Sequence, residues 1–209
     1  MPAKSRKNSQ EQSFIDRARR EQIMAACMTV LAEQGYPNAS LQRVADQAGI
    51  SKGLISYYFE NRDALMRETL FSGYERLGQE VMSQVDLTSP PPTVLRQLIL
   101  VSARVSLKNS AMQHAMTEII SNLRNTTAEK KLDFADRDAT YSGIEQLYRT
   151  GQQTGHFRDF DVRAMAVLHQ GAIDSMFLYL ASHPETDPEP FADQIASFLV
   201  AAVLHCEEQ

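Results

Sequence analysis

The sequence predicts an all-α protein of about nine helices, with a three-helix, helix-turn-helix domain at its N-terminal end. Three observations predict this. Apolar residues recur at three- and four-residue spacing through most of the chain, which gathers them on one face of a helix. Alternation of β-branched residues is scarce, and no Asn-Gly or Asp-Gly hairpin signal occurs. Glycine and proline fall between the periodic stretches, where helices stop and restart.

Residues 1–12 are polar and basic and are expected to form a disordered arm carrying Lys4, Arg6 and Lys7. The first helix is expected from about Phe14 to Gln34, with an apolar stripe of Ile15, Ile23, Cys27, Val30 and Leu31. Gly35 stops it. Ser40 is placed to cap a helix from Leu41 to Gln47, Gly49 breaks the chain, and Ser51 caps a short helix from Lys52 to Tyr58. Asn61 caps a longer fourth helix from Arg62 to about Val85, with Leu65, Leu70, Leu77 and Val81 among its apolar positions. Ser89-Pro90-Pro91-Pro92 reads as a linker, because three prolines do not fit inside a helix. Helices are then expected at about Thr93–Lys108, Ser110–Arg124 and Ala128–Gly151, followed by a loop at Phe157–Phe160. Asp161 caps a helix to about Ser182, His183–Pro190 is a proline-rich turn, and the last helix spans about Phe191–Cys206. The expected divisions are the arm at 1–12, the helix-turn-helix domain at 13–62 and a helical body at 63–209.

Composition narrows the function classes. A hydrophobic fraction of 43% with 22% charged residues is ordinary for a globular protein. No apolar run approaches the roughly 20 residues that cross a bilayer. The N-terminus lacks the apolar core of a signal peptide, so a cytoplasmic location is expected. Cys27 and Cys206 stand far apart, and only His205 lies near either, so reduced thiols with no metal and no cofactor are expected. The net charge of −5 is unevenly spread. Residues 1–65 hold nine Lys/Arg against seven Asp/Glu, and the remainder holds 12 against 19. A mildly basic first third on an acidic body fits a nucleic-acid-facing module; ordinary solvated surface charge fits it as well.

The segment from Ser40 to Phe59 carries the strongest signal. Two short helices joined through Gly49, with a longer helix before them, make the plan in which the second helix enters the major groove of DNA. Val44, Ala45, Ala48, Ile50 and either Leu54 or Ile55 point inward. Lys52 supplies a mobile positive charge in the first turn of the second helix, whose free N–H groups also favour phosphate. Gly53 leaves room for close backbone approach, and Ser56, Tyr57 and Tyr58 supply hydroxyls for phosphate oxygens. A small helical core whose tyrosines fill space is the other reading of the bare pattern.

From the first helix to the start of the fourth, this stretch resembles the DNA-binding signature of the tetracycline-repressor (TetR) family. The resemblance rests on the alanine-containing helix Val44-Ala45-Asp46-Gln47-Ala48, the Gly49-Ile50-Ser51 turn, and Tyr57-Tyr58-Phe59 ahead of Arg62. Two positions depart from the usual pattern. Tyr58 stands where the family most often has His, and Arg62 where it most often has Lys; both bear on operator preference. The resemblance implies that Lys52, Tyr57, Tyr58 and Arg62 contact phosphates and that Ser40 does so from its helix start. Arg43, Gly53, Leu54 and Ser56 would face base edges, with Ser51 completing the set; Arg43 also reads as an ordinary solvated charge. The arm either reaches along the DNA or has no role.

For the body, the resemblance implies dimerisation and ligand binding. The last two helices have wide apolar stripes. In the family such helices pair with their two-fold mates, here through Met165, Ala172, Met176, Phe191, Ile195, Phe198, Leu199 and Ala202. A two-fold homodimer demands a near-palindromic operator in double-stranded DNA. The helices from Thr93 to Gly151 would surround a small-molecule cavity, with Met112, His114, Met116, Tyr141, Tyr148, His169 and Asp174 as candidate liners; each also reads as core or surface. The implied function is a transcriptional regulator, mostly a repressor in this family, released from its operator by a small molecule. An architectural or division-linked DNA binder of the same fold, without a ligand, is the alternative. No phosphate loop, zinc-protease helix or nucleophile elbow occurs, and the His114–Glu118 pair is a common helical spacing, so no enzymatic activity is expected.

Overall fold

The computed structural model describes residues 3–123 and 138–205, with side chains from residue 14 onward apart from 139 and 140. Among the described residues there are nine helices and no strand. They are α1 (Ala3–Asn38), α2 (Leu41–Ala48), α3 (Lys52–Tyr58), α4 (Arg62–Met82), α5 (Pro91–Lys108), α6 (Ser110–Leu123), α7 (Asp138–Gln153), α8 (Val162–Ser182) and α9 (Pro188–Val203). No helix among the described residues is long and apolar enough to cross a membrane. The helices gather into two compact units. One holds α1, α2, α3, α4 as far as Glu75, and α6 from Ala111; the other holds the end of α4 with α5, α7, α8 and α9.

In the first unit, α1 supplies Ile23, Cys27, Val30 and Leu31 to a core that Val44 and Ala45 of α2, Ile55 of α3, Phe59, and Leu65, Met66 and Leu70 of α4 complete. Ile55 rather than Leu54 is the inward residue of α3, since Leu54 is only half-buried. Ile15, expected on the core stripe, is half exposed; the stripe begins about two turns further on, at Ile23. Helical geometry breaks at Gly35, with φ 73°, where the first helix was expected to stop. α1 begins at Ala3, and the side chains of the expected basic arm lie outside the described residues. Burial raises the Cys27 thiol to about 11, so it is a protonated core group.

In the second unit, α5 packs on α9, and α7 on α8. Leu95 and Ile99 of α5, Tyr148 of α7, Met165, Met176 and Leu180 of α8, and Ala196 and Leu199 of α9 share its core with Phe157. Arg158 donates from Nε to the Ala202 carbonyl at 3.0 Å, and from its backbone N–H to Val203 at 2.9 Å. The side chain and the backbone N–H of one residue thus each satisfy a carbonyl that the end of α9 leaves without a helical partner.

Several expected boundaries are corrected. α5 begins at Pro91 and α9 at Pro188, because a proline in the first turn lacks only an N–H that has no helical partner there. α4 ends at Met82, and Val85 is buried in the turn that follows. α7 passes through Gly151 to Gln153. Gly151 is there because of the Phe157 ring: a Cβ at that position would lie 2.0 Å from Phe157 Cδ2. The helix start expected at Ala128 and the thiol of Cys206 lie outside the described residues.

Candidate nucleic-acid interface

A seven-residue helix is marginal on its own, so α3 depends on its ends and its floor. Ser51 Oγ accepts the Leu54 N–H at 3.2 Å, and Ser40 Oγ accepts the Arg43 N–H at 3.3 Å, capping α3 and α2. Gly49 ends α2 in the left-handed conformation, φ 66°, which costs a side-chain-free residue nothing. The Ile50 N–H then returns to the Ala45 carbonyl at 3.0 Å. Gln22 of α1 donates to the Ala48 carbonyl at 2.8 Å, tying the end of α2 to the long helix beneath. Asn61 caps α4 by accepting the Ala64 N–H at 2.9 Å.

With Ile55 fully buried, the opposite face of α3 looks outward. Lys52, Gly53, Ser56 and Tyr57 are exposed there, Tyr57 at 75%. A Cβ on Gly53 would meet nothing closer than Ser51 Oγ at 3.9 Å, so its backbone is open to approach. Ser40, Arg43 and Ser51 are also exposed. Arg43 donates from Nη1 to Gln34 Oε1 at 2.6 Å, which steers its head back toward α1.

The two residues at which the sequence departs from the family pattern are engaged within the protein. Tyr58 donates its hydroxyl to Asp16 of α1 at 3.0 Å, and its ring meets Tyr57 edge-on at 5.0 Å. Partial burial, then the Asp16 carboxylate, push its phenol above the usual range, so it stays a donor. Arg62 donates from Nε to the Ala39 carbonyl at 2.8 Å, also bonds the Tyr36 carbonyl, and lies over the Tyr36 ring at 4.1 Å. Sequence reasoning missed the partners. Asp16 sits on a polar stretch of α1, and Glu118, which accepts the Tyr36 N–H at 2.9 Å, lies on α6. In the sequence, Glu118 is marked only by its helical spacing from His114.

The candidate ligand residues divide between the units. In the first, Met116 is buried, Met112 is half-buried and His114 is exposed. In the second, Tyr148 and His169 are brought together by a 3.0 Å hydrogen bond inside the core. Burial drives the His169 imidazole down to about 4 and pushes the Tyr148 phenol well up, so both are neutral at physiological pH. Tyr141 is buried under Arg163, whose guanidinium lies 5.4 Å from its ring centre. Asp174 is half-buried and accepts from Gln170 at 2.9 Å. No group of metal-ligating side chains occurs among the described residues. Of the candidate dimer residues, Met165, Met176 and Leu199 are buried in the core of the second unit. Ala172, Phe191, Ile195 and Ala202 are half-buried against that core, and Phe198 is 69% exposed.

Comparison with known proteins agrees with this geometry. The sequence profile of the bacterial regulatory proteins of the tetR family matches residues 23–69, from α1 into α4. The chain is 33% identical over 95 residues to the HTH-type transcriptional regulator BetI of Pectobacterium atrosepticum, covering 44% of this chain and 49% of that protein. It is 36% identical over 63 residues to BetI of Yersinia pestis, covering 30% and 32%. The matched stretch thus spans half or less of the length of these curated relatives. The fold extends further. A transcriptional regulator from Pseudomonas aeruginosa superposes with a TM-score of 0.74 at 19% identity, over 89% of this chain and 90% of that one. The fatty acid degradation regulator FadR from Bacillus halodurans does so at 0.73 and 19%, over 87% and 94%. The capped helix pair thus lies in a stretch, residues 23–69, that is similar to the bacterial regulatory proteins of the tetR family, and the helical fold around it is one that solved regulators share.

Proposed function

We propose that the chain is a DNA-binding transcriptional regulator that lays α3 in the major groove of a two-fold operator, as a homodimer, and that a small molecule bound by the helical body releases it. The observation that carries DNA binding is the outward face of α3. Lys52, Gly53, Ser56 and Tyr57 project from a helix whose other face is locked onto a buried floor, so a cation and hydroxyls are presented in fixed register. Homodimerisation is supported by an uncharged outward strip on α8. Ala164, Leu168, Gly171, Ser175 and Leu178 lie on one exposed face, and Phe198 of α9 is exposed as well. Met165, Met176 and Leu199 form the floor beneath. Ligand response rests on family likeness and on the neutral Tyr148–His169 pair, a polar anchor within apolar surroundings.

The test is binding of the purified protein to DNA flanking its own gene, followed by footprinting and by anisotropy between 50 and 200 mM salt. Affinity is expected to fall linearly on logarithmic axes, and Lys52→Ala to reduce the slope by about 0.9 per subunit. Wild-type affinity in a double Lys52→Ala, Tyr57→Phe variant would overturn the interface assignment. Repeating the measurement at fixed salt with a metabolite panel tests release. A releasing ligand has to favour the non-binding conformation, since equal affinity for both shifts nothing.

A further inference from the structure

We propose that Arg62 and Glu118 are positioning residues that clamp the turn between α1 and α2 and thereby set where α2 starts; the proposal rests on the DNA-binding reading above. After the break at Gly35 the turn keeps one bond of its own, from the Ala39 N–H to the Tyr36 carbonyl at 3.2 Å, and because Tyr36 and Ala39 are buried their remaining polar capacity needs partners. Two other helices supply them. From α6, the Glu118 carboxylate accepts the Tyr36 N–H at 2.9 Å. From the first turn of α4, Arg62 donates Nε to the Ala39 carbonyl at 2.8 Å and a terminal N–H to the Tyr36 carbonyl, with its plane over the Tyr36 ring at 4.1 Å. The turn is thus held by an anion on its donor and a cation on two of its acceptors. Both are charge-assisted bonds, and the guanidinium fork suits two carbonyls where a lysine's single ammonium does not.

The residue after Ala39 is Ser40, the cap of α2. A shift of the turn moves that cap, and with it the helix against which α3 packs. With Nε and a terminal N–H of Arg62 already bonded inside the protein, its contribution to DNA binding is through the placement of α2 rather than through a phosphate.

The experiment compares operator binding across salt, together with hydrogen exchange of the Tyr36 amide, in the full-length protein. Glu118→Ala is expected to weaken binding about 10-fold, as for a lost bond to a charged group, at the wild-type salt slope and with faster Tyr36 exchange. Glu118→Gln keeps an accepting oxygen and is expected to restore most of the affinity and the protection. Arg62→Gln is expected to weaken binding with the slope unchanged. A slope lowered by about 0.9 per subunit in Arg62→Gln would reveal a phosphate contact and overturn the clamp. Wild-type affinity in Glu118→Ala would do the same. Where Glu118→Ala fails to fold, Glu118→Asp, shorter by one methylene, carries the comparison. A wild-type protein that binds no flanking DNA defeats the DNA-binding reading itself, while unaltered binding in the variants defeats the clamp alone.

Discussion

Tyr57 and Tyr58 are adjacent in sequence and opposite in circumstance. Tyr57 is 75% exposed on the outward face of α3, whereas the Tyr58 hydroxyl is held by Asp16 on α1. Removing each hydroxyl separates the two roles. Tyr57→Phe is expected to weaken DNA binding and leave the unfolding midpoint in place. Tyr58→Phe is expected to lower the unfolding midpoint, as for one lost internal hydrogen bond, with the salt slope intact. Chemical denaturation beside an anisotropy titration reads both, and the reverse pattern would exchange the roles. His169 makes a second residue-scale prediction. Its folded-state pKa is depressed to about 4, below an unfolded value of about 6.5. Between those values the unfolded chain takes up a proton that the folded protein refuses. The full stability is therefore present above pH 6.5 and is lost as pH falls toward 4, by about 3 kcal/mol in all. Urea midpoints at pH 7 and pH 4.5 should differ accordingly, and His169→Gln should flatten the difference. An equally steep loss in that variant would place the acid sensitivity elsewhere.

At the scale of helices, what is local in chemistry was legible in the sequence. The caps at Ser40, Ser51, Asn61 and Asp161 follow from a hydroxyl, amide or carboxylate placed ahead of an apolar period, and each accepts an early N–H of its helix. The outward face of α3 follows from the same periodicity. What depends on distant chain was not legible. Tyr58 meets Asp16 across 42 residues, Arg62 meets Tyr36 across 26, and Glu118 reaches Tyr36 across 82. No local pattern carries such pairings, and none places α6 in one compact unit with the helix-turn-helix. Proline misled in one direction and glycine in the other: first-turn prolines read as linker, and a glycine inside α7 read as its end. Gly151 gives a direct test. Gly151→Ala leaves a good helix former in α7, so propensity alone predicts a gain of up to about 1 kcal/mol. The added methyl would press on the Phe157 ring, and overpacking predicts a loss of about 3 kcal/mol instead. Thermal unfolding decides between them, and a raised midpoint would mean that Phe157 yields without cost.

The whole molecule adds a question that neither a residue nor a helix answers, namely why α8 leaves so much uncharged surface outward. Leu168, Leu178 and Val167 are 55%, 61% and 44% exposed, and Phe198 of α9 is 69% exposed, with Gly171 and Ser175 between them on α8. Each large apolar side chain contributes about 2 kcal/mol when fully buried. Association costs about 4–15 kcal/mol in lost freedom, so one or two such residues do not hold a dimer, whereas several from each of two copies do. In the proposed dimer, small residues at 171 and 175 would let a partner helix approach closely. A two-fold axis would bring each patch against its own copy, so a charge introduced there would meet itself. Phe198→Glu is therefore expected to raise the dimer dissociation constant at least about 100-fold, by loss of apolar burial and by like-charge apposition. Sedimentation at micromolar concentration should show a monomer with an unchanged helical circular dichroism spectrum, because Phe198 lies outside the core. On DNA the monomer engages one half-site at a time, so the salt slope should fall to about half that of the wild type. A Phe198→Glu protein that stays dimeric, with its operator affinity intact, would move the interface off this face.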